Sequence, residues 1–177
     1  MTVDGFPVPV DVSGSDNAPV VVLLGAAGQT VDAYDAVCAR LHIASLRTVV
    51  IGVDDRLTVT AVLDVLDQLG VRWAVFVGDR SGADLAWELA ATRLDRVTGL
   101  VVVDRGHPRV VDPDASCPPV EVNTTALVSN PTARTAARAS QRYVYGDYRI
   151  VDMPARRSAA ESTAQLAGEI VLRTSTW

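Results

Sequence analysis

Short, continuously apolar runs alternate along this chain with stretches of helical spacing. Val20 to Leu24, Thr48 to Val53, Trp73 to Val77, Leu100 to Val103 and Thr124 to Val128 have strand length and little polarity. That is the pattern of strands buried on both faces. Between them, Thr30 to about Leu41, Val59 to Leu69, Ser81 to Leu94 and Thr132 to Gln141 read as helices. Thr30 can cap the first, and Gly70 stops the second. Phe6 to Val12 predicts an edge strand, because Pro7 and Pro9 lack the N–H a central ladder needs. Tyr143 to Met153 holds a last strand, and Ser158 to about Arg173 a last helix with Ile170 and Leu172 inward. Arg105 to Val122 carries Pro108, Pro113, Pro118 and Pro119, and predicts a loop with at most a short helical turn. Strands separated by helices demand a mostly parallel sheet covered on both faces, with ligands at its carboxyl edge. That edge would display Gly25 to Gln29, Asp54, Asp79 to Ser81, Asp104 to His107 and Ser129 to Thr132.

One junction carries more information than the rest. The apolar run Ala74-Val75-Phe76-Val77 enters Gly78-Asp79-Arg80-Ser81-Gly82-Ala83, and a helix opens after it. A strand, a tight turn with glycines two before and two after its centre, and a helix form the context of a nucleophile elbow. The central residue is Arg80, which cannot attack a carbonyl, since its guanidinium stays protonated. Ser81 is expected to cap the helix it opens. Asp79 is expected to pair with Arg80 or to sit as a carboxylate at the helix N-terminus.

Composition narrows the function classes. At 177 residues with 49% hydrophobic content, the chain predicts one domain, residues 1–177, with an ample aliphatic core. A net charge of −5 argues against a nucleic-acid surface. All 16 basic residues are arginine, so a Schiff-base or Walker-A lysine is excluded. Arg134, Arg138 and Arg142, with Arg149, Arg156 and Arg157, read as a solvated basic face. Cys38 and Cys117 lack metal-ligand spacing and fit reduced thiols in a cytoplasmic protein. No secretory signal or membrane-length apolar run is visible, and no metal or other cofactor is implied. Gly25-Ala26-Ala27-Gly28 has an incomplete dinucleotide fingerprint.

From about Val3 to Leu172 the order of pieces resembles the α/β-hydrolase family. The strongest parts are Pro19 to Leu41 and Leu57 to Arg105. The resemblance implies an α/β three-layer sandwich, a mostly parallel sheet with helices on both faces and no cap domain. It places Gly25, Ala26 and Ala27 in an oxyanion-like loop and Gly78, Asp79, Arg80, Ser81 and Gly82 in the elbow. It also shows departures. Arg80 holds the nucleophile position. Ser129, Asn130, Pro131 and Thr132 offer no carboxylate where the acid is usual. Met153-Pro154-Ala155-Arg156-Arg157-Ser158 offers no histidine where the base is usual.

The expectation is therefore a non-catalytic binding or regulatory protein with a degenerate Ser-His-Asp triad, a pseudoenzyme taking a small anionic or acyl ligand near Arg80. The alternative is an ester or thioester hydrolase with a non-standard site of Ser81, Asp104 and His107, in which His107 folds back from a mobile loop; the plainer reading of His107 is a solvated loop histidine before Pro108. A third expectation is a homo-oligomer formed through the lidless carboxyl edge or the last strand.

Overall fold

A computed structural model describes residues 1–3, 5–153 and 159–175. The expectation for the loop after the last strand concerns residues 154–158 and lies outside the described residues. Strands β1 (Thr2–Val3) and β2 (Phe6–Pro7) form a small antiparallel hairpin. The main sheet has seven strands: β3 (Val10–Ser13), β4 (Val20–Leu24), β5 (Arg47–Ile51), β6 (Ala74–Asp79), β7 (Val97–Val103), β8 (Thr124–Val128) and β9 (Tyr148–Asp152). Their spatial order is β3-β5-β4-β6-β7-β8-β9. All neighbours are parallel except β3, which runs antiparallel to β5 at the edge.

The helices are α1 (Asp35–Ile43), α2 (Val59–Gln68), α3 (Gly82–Thr92), α4 (Pro108–Val111), α5 (Pro131–Ser140) and α6 (Ala159–Thr174). Side chains of a strand alternate between faces, and β4 shows how two cores result. Val22 and Leu24 join Val62, Leu66, Trp87 and Ala133 beneath α2, α3 and α5. Val21 and Leu23 join Val37, Leu41 and Ile170 beneath α1 and α6. A strand buried on both faces has no polar face to show, which is why its sequence reads as an unbroken apolar run. Arg173 fastens α6 to the sheet: its guanidinium donates to Thr125 Oγ1 at 2.6 Å, to Thr124 O at 2.9 Å and to Asp147 Oδ2 at 2.9 Å.

Several local expectations are corrected. The single edge strand Phe6 to Val12 is divided, its first part turning back on β1 and its second pairing with β5. Thr30 makes no side-chain cap and precedes a 3₁₀ turn, Val31–Tyr34, that leads into α1. Thr58 and Asn130 do cap, accepting from Ala61 N and Ala133 N. Leu172 faces outward, half exposed, whereas Ile170 is fully buried.

Candidate functional site

The carboxyl ends of β6, β7 and β8 line one side of a cleft of about 260 Å³, and α1 and α6 supply the other. Its polar lining includes Gln29, Tyr34, Asp79, Arg80, Asp104 and Ser129. Val37, Val103, Met153 and Leu166 make its apolar wall.

The turn from β6 into α3 is built by exclusion of side chains. A Cβ on Gly78 would lie 2.4 Å from Ala83 Cα, and one on Gly82 would lie 2.2 Å from Leu24 O. Both glycines thus let α3 sit directly against the ends of β4 and β6. Arg80 occupies the apex with φ +50°, a left-handed conformation rarely held by a residue with a side chain. Its backbone N–H donates to Val103 O at 3.0 Å, and its carbonyl accepts from Ala83 N at 3.1 Å. Asp104 stands next to it across the parallel register, also at positive φ, +54°.

Arg80 folds back onto its neighbour. Nε and Nη2 donate to the two carboxylate oxygens of Asp79 at 3.1 and 3.2 Å, and this bond raises the guanidinium pKa further. Asp79 is the more buried partner, with its side chain 15% exposed against 44% for Arg80. Asp79 Oδ2 also accepts from the Tyr34 hydroxyl at 2.8 Å. That hydroxyl lies 2.9 Å from Gln29 Oε1 as well, and its single proton serves one acceptor at a time. Burial, and then the adjacent carboxylate, push the Tyr34 pKa up, so the phenol stays neutral. Asp104 is held separately, accepting from Ser129 N at 2.7 Å and Ser129 Oγ at 2.5 Å.

The loop amides are already occupied. Ala26 N donates to the Tyr34 hydroxyl at 3.0 Å, and Ala27 N donates to Ser81 Oγ at 2.6 Å. Ser81 does not cap α3, as its sequence position suggests; its hydroxyl ties the elbow to the Gly25-Ala26-Ala27 loop instead. Gly25 is needed there because a Cβ would press on the Tyr34 ring at 3.0 Å.

His107 is not a solvated loop residue. It is fully buried, edge-on to Trp87 and stacked on Tyr143 at 4.6 Å. Nδ1 accepts from Arg109 N at 3.2 Å, so Nε2 carries the proton and donates to Pro118 O at 2.9 Å. Burial lowers its pKa and holds it neutral. Cys117 lies 3.5 Å from Nε2, but burial pushes its thiol up to about 11, which keeps sulfur protonated and unreactive. No hydrogen bond joins any two of Ser81, Asp104 and His107 among the described residues. His42, the other histidine of the chain, lies in the last turn of α1 and pairs with Thr48 Oγ1 of β5 at 2.9 Å.

Among the described residues, no three His, Cys, Asp or Glu side chains converge as metal ligands, and no helix is long and apolar enough to cross a membrane. Tyr34 is the cleft residue that sequence reasoning missed. Its partner Asp79 lies 45 positions away, and nothing local marks the contact.

No protein-family model matches the sequence, and neither does any curated protein. Solved structures do match in shape. Epoxide hydrolase A from Mycobacterium thermoresistibile superposes with a TM-score of 0.78 at 10% identity, covering 98% of this chain and 96% of that one. A hydrolase from Pseudomonas aeruginosa gives 0.77 at 18% identity, covering 98% and 96%. MGS-M2, an α/β-hydrolase enzyme from a Medee basin deep-sea metagenome library, gives 0.74 at 13% identity, covering 94% of each chain. Together with the strand order and the elbow turn, these likenesses establish that the chain has the α/β-hydrolase fold.

Proposed function

We propose that this protein binds a small acyl or anionic ligand in the cleft beside Arg80 and does not hydrolyse it, acting as a binding or regulatory protein on a hydrolase fold. The observation that carries this reading is the apex of the elbow. The residue at the apex lines the cleft and carries a guanidinium bonded to Asp79, and the cleft lining contains no imidazole. Acyl transfer requires an activated hydroxyl or thiolate and a base to take its proton. The two histidines of the chain are engaged elsewhere. The only serine at the turn gives its oxygen to a loop amide. A developing oxyanion would also find the Ala26 and Ala27 amides already bonded to protein oxygens.

The test is treatment of the folded protein with a fluorophosphonate probe, alongside a panel of p-nitrophenyl esters and acyl thioesters. The expected result is no labelling and no turnover above a heat-unfolded control. Specific labelling of Ser81, or turnover removed by a change at Ser81, Asp104 or His107, would overturn the reading and restore a non-standard hydrolase.

A further inference from the structure

Two residues with side chains hold positive φ side by side at the rim of this cleft, and they carry opposite chemistry. Arg80 follows β6 and Asp104 follows β7, in adjacent register, and both line the cavity. Arg80 commits Nε and one Nη2 proton to Asp79, and among the described residues its other N–H groups have no hydrogen-bond partner. Asp104 accepts one bond on each oxygen, both from Ser129, which fixes the carboxylate plane and leaves further lone pairs. The rim therefore presents a charged donor next to an oriented charged acceptor.

A ligand head group must match both. A carboxylate has only acceptors, so it would satisfy Arg80 and face Asp104 with like charge. An ammonium has only donors, so it would satisfy Asp104 and offer no acceptor to the N–H groups of Arg80. A primary amide has a carbonyl acceptor and an N–H donor on one edge and no charge. Among the described lining residues, Asp79 already neutralises Arg80, which removes the net positive field an anion would need. Beyond the rim, Val37, Val103, Met153 and Leu166 suit a short hydrocarbon tail.

We propose that the cleft recognises an uncharged amide head group carrying a short apolar tail, and that it rejects the carboxylate of equal length. The proposal rests on the reading of the cleft as a binding site, and it decides between acyl and anionic ligands in favour of the acyl amide.

The experiment compares hexanamide, hexanoate and hexylammonium by ligand-observed NMR at neutral pH, with the wild-type protein and with Asp104→Asn. Asparagine tolerates positive φ and can still accept from Ser129, so the variant keeps its fold. Hexanamide should bind the wild type, with each charged probe weaker by about tenfold or more. In Asp104→Asn the acceptor becomes partly a donor, and hexanoate should overtake hexanamide. Hexanoate binding the wild type as well as hexanamide, an unchanged order in the variant, or no binding of any probe would each refute the proposal. The same spectra report hydrolysis. If hexanoate accumulated in the hexanamide sample, the non-hydrolytic reading would fall, while the head-group preference would stand or fall on the affinities.

Discussion

Replacing Gly82 with alanine tests the geometry on which the position of Arg80 depends. The added Cβ would lie 2.2 Å from Leu24 O, 2.6 Å from Gly25 O and 2.6 Å from Leu24 C. All three are backbone atoms, so no side-chain rotation relieves the contact, and α3 must move away from the end of β4. Overpacking of a core ordinarily costs about 1–3 kcal/mol. A backbone collision belongs at the top of that span, so a loss of about 3 kcal/mol is expected. For a chain of this size that lowers Tm by roughly 6–12 °C. The intrinsic helix preference works the other way, since alanine in a helix is better than glycine by about 0.5–1 kcal/mol. Gly168→Ala isolates that opposing effect: Gly168 lies in α6 with nothing within 4 Å of an added Cβ. Urea denaturation of the two variants should give opposite signs, Gly168→Ala more stable than wild type and Gly82→Ala much less. Gly82→Ala within about 1 kcal/mol of wild type would mean that α3 and β4 are not packed as described, and the placement of Arg80 at the apex would lose its support.

Arg80→Ser should fold, losing at most about 1 kcal/mol with its half-exposed ion pair. It should gain no esterase activity, because a serine without its base falls about 10⁶-fold short of a full triad; an acyl-enzyme burst with p-nitrophenyl acetate would contradict this. Tyr34→Phe leaves the buried Ala26 N–H without its acceptor, and should cost about 1–3 kcal/mol in urea denaturation; no change would show that the hydroxyl is dispensable. Acidification should destabilise the fold through His107. Burial holds its folded pKa below the ordinary imidazole value of about 6.5, so the unfolded chain takes up the proton first. Stability is then complete above pH 6.5 and falls below it by up to about 1.4 kcal/mol per pH unit, levelling off below the folded pKa. Urea midpoints of wild type and His107→Gln between pH 7.5 and pH 5 should converge as pH falls, and parallel curves would count against a buried neutral imidazole.

The elbow was legible because its determinants are local. Gly78 and Gly82 stand where a side chain would strike backbone within the same strand-turn-helix unit or the strand beside it, and that steric demand leaves a trace at fixed spacing. The two-sided burial of β4, β5, β7 and β8 was legible for a similar reason, since both faces are apolar in each short run. His107 was misread because its burial depends on chain that returns from far away. The Pro118 carbonyl, the Tyr143 ring and the Ser140 hydroxyl, which accepts from His107 N at 2.8 Å, enclose it. A histidine between glycine and proline looks solvated when only its neighbours are read. Ser81 was misread in the same way: a serine before a helix has a local use as a cap, and a contact to Ala27, 54 positions away, displaced it.

The chain places glycine where a Cβ would collide, at 78 and 82, yet it does not place glycine where only backbone torsion is at stake, at 80 and 104. A left-handed residue with a side chain costs roughly 1–2 kcal/mol, somewhat less for aspartate. The Arg80–Asp79 pair is part-exposed and returns at most about 1 kcal/mol. It does not offset the torsional cost at Arg80 by a clear margin, so fold stability gives little reason to prefer arginine over glycine at the apex. Strain of this kind persists where the surrounding structure holds it and the side chain has a use. At these two positions the use available is the cleft, which both residues line. The same reasoning that removes a nucleophile from the apex therefore argues for a ligand there.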